Sequence, residues 1–176
     1  MLILATKKIS NQGIMKKKTP FRAGFIYTTV LVLIVPLLLL TCKNEQAVPT
    51  QDEAKTAIWG KITAANDKWA AGDPMGFTEC AAPDIIWSDD LGAQNRVTGY
   101  EALKTYLEAF IGQIPPHQHV LIDPVFQYYD DMVVVSYRYQ GTFEGEAAAP
   151  WKVTSVFRFA DGDWLSVHEN WTEVKQ

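Results

Sequence analysis

The segment Asp161-Gly-Asp-Trp-Leu-Ser-Val-His-Glu-Asn-Trp-Thr172 carries two tryptophans, a histidine, a carboxylate and an asparagine within eight residues. Its opening Asp161-Gly162 pair suits a two-residue hairpin turn, because both central positions of such a turn need positive φ. Side chains of a strand alternate between faces. Strict period two therefore groups Ser166, His168 and Asn170 on one side and Leu165, Val167, Glu169 and Trp171 on the other. One apolar row backing one row of hydrogen-bonding groups makes a good wall for a cleft.

Period two extends upstream through Val120–Tyr129, Met132–Glu144 and Trp151–Phe159, with Asp130-Asp131 as a turn and Gly145 to Pro150 as a loop. In the longest run, Val133, Val135, Tyr137, Tyr139 and Phe143 share a face. Before His117 the spacing is helical. Thr50-Gln-Asp-Glu53 is a capping box ahead of an apolar stripe of Ile58, Ile62, Ala65 and Trp69, and Gly72-Asp73-Pro74 ends that helix. A short helical turn follows over Met75–Cys80, then a strand over Asp84–Ser88, a turn at Asp89-Asp90-Leu-Gly92 and a short returning strand over Gln94–Val97. Thr98-Gly-Tyr-Glu101 repeats the capping box before a second stripe of Leu103, Leu107, Phe110 and Ile114, which Gly112 and Pro115-Pro116 close. Helices first and long antiparallel strands last read as α+β, with helices packed on one curved sheet.

The 176 residues accommodate one domain and an appendage. Residues 1–41 hold six basic and no acidic residues, leaving 10 basic against 20 acidic in the remainder, a formal charge of −10. Such a domain is a poor partner for nucleic acid or anionic lipid. The basic run at Met15-Lys-Lys-Lys18 followed by the apolar stretch Phe25 to Leu40 reads as an export signal, with Met15 as the expected true start. Leu39-Leu-Thr-Cys42 resembles the lipobox of bacterial lipoproteins. That resemblance implies cleavage before Cys42, a lipid on its thiol and an address in the cell envelope, outside the cytoplasm. The expected organisation is thus a signal over 1–41, a lipidated cysteine and polar tether over 42–50, and a domain over 51–176. Cys80 is then alone and reads as a packing residue.

Val97-Thr-Gly-Tyr-Glu-Ala-Leu-Lys-Thr-Tyr-Leu107 resembles the "G-x-x-A-L" helix start of nuclear transport factor 2-like domains, especially their SnoaL-like branch. Asp161 to Trp171 resembles that branch's final "D-G-x-W-x-x-x-H-x-H" strand, with Asn170 where a second His is frequent. The likeness spans about residues 52–174. It implies a cone-shaped roll, cystatin-like, in which a strongly bent antiparallel or mixed sheet wraps the N-terminal helices and leaves a cavity open at one end. It also implies homodimers through the sheet. The activities of the branch are scattered over cyclases, isomerases, hydrolases, dehydratases and binding modules.

Six Trp, seven Tyr and eight Phe exceed what a small core needs. The expected cavity lining is Trp69, Trp87, Tyr106, Phe110, Tyr137, Tyr139, Phe157, His168 and Asn170. Asp89 follows a strand near where isomerase-type relatives hold a carboxylate base, although Asp-Asp-Leu-Gly also makes a hydrated turn. With Tyr137 or His168 as oxyanion donor, it would form a cofactor-free lyase, isomerase or cyclase site. The competing expectation, and the preferred one, is a module that binds a small apolar or aromatic molecule. His117-Gln-His119 lacks a third ligand at metal spacing, and no cofactor fingerprint is present, so neither a metal nor a cofactor is expected. The outer row of the sheet, read as Val134, Val156, Leu165, Val167 and Trp171, would be covered in a homodimer.

Overall fold

Thr50 starts the first helix as its residue type and spacing demand. The computed structural model describes residues 47–91 and 96–175; the export segment, Cys42 and Gly92 to Asn95 lie outside the described residues. Helix α1 runs Gln51–Ala70, and the Thr50 backbone N–H donates to the Glu53 carboxylate at 2.9 Å while the Glu53 amide donates back to Thr50 Oγ1 at 3.5 Å. Ala54, Ile58, Ile62, Ala65, Asn66 and Ala70 form its buried stripe. Gly72 leaves the helix at φ 93°, a conformation that costs other residues dearly. A 3-10 helix, Pro74–Thr78, then lies so close to α1 that a Cβ on Gly76 would stand 2.8 Å from the Lys68 Cβ.

The strands are β1 Ala81–Asp89, β2 Val97–Thr98, β3 Gln118–Tyr129, β4 Met132–Phe143, β5 Glu146–Ala147, β6 Trp151–Ala160 and β7 Asp163–Glu173. They pair in the order β2-β1-β7-β6-β4-β3, with β5 added to β4. β1 and β7 run parallel and the other pairs are antiparallel. The architecture is therefore α+β, a curved, open, mixed sheet carrying its helices on one face. Asp161 and Gly162 make the β6–β7 turn at φ 51° and 86°, the positive pair that the hairpin requires.

Helix α2, Tyr100–Glu108, departs from the expected capping box. Its N-cap is Gly99 with no side-chain cap, because Thr98 is engaged in β2 opposite Ile86. Leu103 and Leu107 are its buried residues. The core lies between the helices and the concave face: Val133, Val135, Tyr137 and Tyr139 of β4 with Val153 and Phe157 of β6 meet Ile58 and Ile62 of α1. Phe157 is thus a core residue.

One register shift changes the reading of β7. Val156 pairs with His168 and Phe157 with Ser166, so Val167 is an extra residue with no partner on β6. A bulge of this kind moves everything beyond it to the opposite face. Trp164, Ser166, Glu169 and Trp171 consequently face the core, each under 9% exposed. His168 and Asn170 face away from it. The expectation that these two line the cavity is corrected, as is the placing of Trp171 on the outer row. The outer row retains Val134, Val156, Leu165 and Val167, all half-buried, beside the exposed Val120 and Val125 of β3.

Candidate functional site

An apolar cavity of about 310 Å³ opens at one end of the sheet. Its floor is a stack of Trp87 and Trp171, with ring centroids 6.0 Å apart and planes 23° from parallel, and Phe77 set edge-on to both. Trp69 from α1 and Phe110 after α2 close one side. Tyr139, Gly141 and Phe143 of β4, with Trp151 of β6, close the other. Gln113, Ile114, Pro115 and His117 form the rim, and Ala148 and Ala149 complete the lining. Of the expected lining, Trp69, Trp87, Phe110 and Tyr139 come together here. Phe77, Phe143, Trp151, Trp171 and His117 join them unforeseen.

His117 enters the site because its backbone N–H donates to the Ala70 carbonyl at 2.8 Å, tying the rim to the end of α1. Its ring stacks on Phe143, 4.2 Å between centroids, in space that only a glycine leaves. A Cβ on Gly141 would lie 3.1 Å from the Phe143 ring and 3.3 Å from that of His117. Nδ1 of His117 is 2.8 Å from the Pro115 carbonyl oxygen, and Nε2 is 2.5 Å from the Tyr139 hydroxyl. His119 stacks on Tyr139 at 5.3 Å between centroids, with its Nε2 3.5 Å from Asp67. Burial lowers the His119 pKa, and burial raises that of Tyr139. Both histidine rings thus make their contacts with Tyr139.

Asp89 is neither a hydrated turn residue nor a free base. It ends β1 at 4% exposure, and its carboxylate accepts from Trp87 Nε1 at 2.5 Å, from the Leu91 amide at 2.9 Å and from the Tyr106 hydroxyl at 2.7 Å. Burial and then this carboxylate push the Tyr106 pKa up. Tyr106 therefore holds Asp89 instead of lining the cavity, and Asp89 holds the floor tryptophan. Asp90 is exposed and accepts from the Glu173 amide at 3.2 Å.

Tyr137 belongs to a third place, the middle of the core. Its hydroxyl accepts from Asn66 Nδ2 at 3.3 Å, and burial followed by the nearby Glu169 raises its pKa well above normal. Asp89, Tyr137 and His168 accordingly do not form one constellation. The core instead holds a polar cluster invisible to strict alternation. Glu169, 7% exposed, accepts from Ser155 Oγ at 2.6 Å and Ser166 Oγ at 2.8 Å. Burial raises its pKa to about 7 against the opposing pull of the two hydroxyls. Cys80 packs beside this cluster, and burial and then Glu169 push its thiol up to about 12, so it is inert as a nucleophile.

The family model described as SnoaL-like domain matches residues 62–167. No curated protein matches the chain. Among solved structures, the chain is similar to a Parabacteroides distasonis protein described as a "putative ketosteroid isomerase", with 28% identity and a TM-score of 0.56 over 65% of this chain and 85% of that one. It is also similar to an NTF2-like protein of unknown function from Pseudomonas putida, with 19% identity and a TM-score of 0.63 over 73% and 92% of the two chains. A protein with a cystatin-like fold from Nostoc punctiforme shares 14% identity at a TM-score of 0.61, over 74% and 97%. The last two likenesses concern the fold alone.

Proposed function

Because the chain belongs to the SnoaL-like domain family, whose fold does not by itself fix a chemistry, we propose from its own cavity that it binds a small apolar or aromatic molecule. The observation that carries this is the composition of the walls. Trp69, Phe77, Trp87, Phe110, Phe143, Trp151 and Trp171 supply them, while the buried Asp89 carboxylate is not part of the lining and is engaged by Trp87, Leu91 and Tyr106. The volume sits at the lower end of the ~300–1,000 Å³ typical of ligand pockets. Naphthalene is the test probe, followed by ligand-observed NMR. Wild type is expected to bind it, and Ala149→Trp, which adds an indole to the cavity lining, to weaken binding roughly tenfold or more, about 1.4 kcal/mol. No binding by wild type would remove the proposal.

An isomerase is the second reading, supported by the 28% identical Parabacteroides distasonis structure. Proton transfer in that case would pass through His117 and Tyr139, which line the cavity, since the Asp89 carboxylate is taken up by Trp87, Leu91 and Tyr106. Absence of turnover of an unconjugated ketosteroid in the same samples would leave binding alone.

We also propose that the domain is held at the cell envelope by lipid on Cys42, on the strength of the basic, apolar, Cys order of residues 15–42. Intact-mass analysis of membrane-extracted protein is expected to give a chain beginning at an acylated Cys42. An unprocessed chain would overturn this.

A further inference from the structure

Hydrogen-bond direction inside the cavity can be followed atom by atom from Pro115. A carbonyl oxygen only accepts, so the 2.8 Å contact with the Pro115 oxygen fixes the proton of neutral His117 on Nδ1. Nε2 is then a lone pair. The 2.5 Å contact between Nε2 and the Tyr139 oxygen needs one proton, and only the Tyr139 hydroxyl can supply it. The hydroxyl hydrogen is thereby spent on His117, and what remains on the Tyr139 oxygen is acceptor capacity.

Among the described residues no other side chain donates to this oxygen. Trp87 Nε1 is committed to Asp89, and Gln113 Nε2 donates to the Ala109 carbonyl. Trp171 Nε1 is buried without a partner and out of solvent reach. Stacking on both sides, His117 on Phe143 and His119 on Tyr139, holds the relay rings in place. A buried acceptor unmatched by the ligand goes unsatisfied, and sites built this way discriminate by the group that is missing.

We infer that the ligand is an aromatic or similarly flat apolar molecule bearing a hydrogen-bond donor, a phenolic or enolic hydroxyl or an indole-type N–H, read by the Tyr139 oxygen. This rests on the cavity-binding proposal and narrows it. Tyr139 is the specificity-determining residue, and His117, anchored by Pro115, is the positioning residue that sets its polarity.

The test compares 2-naphthol, a donor, with 2-methoxynaphthalene, an acceptor of the same ring system, with naphthalene as the reference for the cavity itself. Affinities are measured by titration calorimetry or ligand-observed NMR, and the quantity read is the 2-naphthol to 2-methoxynaphthalene affinity ratio within each protein. Wild type is expected to favour 2-naphthol roughly fivefold, the effect of one net hydrogen bond. Tyr139→Phe is expected to bring the ratio to about one, since a phenyl ring can make no such bond. His117→Phe, which keeps a ring to stack on Phe143 but releases the Tyr139 proton, is expected to lower the ratio below that of wild type. Naphthalene binding with a wild-type ratio of one overturns the inference and leaves the cavity proposal standing. A ratio unchanged in Tyr139→Phe also overturns it, because the donor is then read elsewhere. Failure of wild type to bind any of the three overturns both.

Discussion

The stability of this fold is expected to fall by about 3 kcal/mol between roughly pH 5 and pH 8 through Glu169 alone, and Glu169→Gln is expected to remove that fall. In the folded chain the Glu169 carboxyl stays protonated up to about pH 7, because ionisation would leave a charge in the core with only two serine hydroxyls to solvate it. In the unfolded chain it ionises near its ordinary value of 4.5. Between the two values the unfolded state binds fewer protons, so stability declines as pH rises, and the decline is complete above the folded value. His119 acts in the opposite sense: its folded pKa is depressed, so its contribution is lost as pH falls through 6.5 and below. The difference between wild type and Glu169→Gln isolates the carboxyl. A glutamine amide can still accept from one serine and donate to the other. Urea unfolding of both proteins across this range measures the effect, and parallel pH profiles would refute it.

Asp89→Ala should cost roughly 3 kcal/mol or more, because it strands the buried indole N–H of Trp87 and takes the acceptor from the Leu91 amide and the Tyr106 hydroxyl. The same variant should weaken naphthalene binding, since the Trp87 indole loses the acceptor that fixes it in the cavity floor. Asp89→Asn retains one acceptor oxygen and should lose less than half as much. A base would behave otherwise: its asparagine variant would lose turnover at nearly full stability. Thermal and denaturant unfolding of the two variants, beside their naphthalene titrations, separates these roles. An alanine variant as stable as wild type would show that Asp89 does not hold Trp87 and Tyr106 in place.

Much of the fold is legible wherever one residue decides a local geometry. Asp161-Gly162 names its turn because both positions need positive φ, and Thr50 with Glu53 names its helix start because the two groups cap each other. The inner row of β4 follows from period two, since nothing interrupts it between Val133 and Tyr139. β7 defeats the same rule through one unpaired residue. The bulge at Val167 is a matter of register between β6 and β7, and no Gly or Pro near it announces it. That single slip exchanged His168 and Asn170 for Glu169 and Trp171, and with them an expected cavity lining for a buried carboxylate and a cavity floor. Thr98 misleads for a related reason, as its pairing in β2 outweighs its capping tendency. Asp89 looked like a turn residue because Tyr106, which holds it, lies in another element 17 positions away.

β7 also sets the order in which the molecule can be completed. It lies between β1 and β6, the one strand that joins the first part of the sheet to the later meander. Until β7 has been synthesised, β1 and β2 have no sheet to join, and Trp87 has no floor partner in Trp171. Loop closure from β1 to β7 spans most of the domain, so its entropy must be lost before the rewarding contacts form. Folding is thereby deferred rather than progressive, and a nascent chain halted before Asp163 holds two half-sheets with open edges where they should meet. For a chain that crosses a membrane before folding, that delay keeps it threadable. For one retained inside, it is the interval in which chaperones must shield those edges.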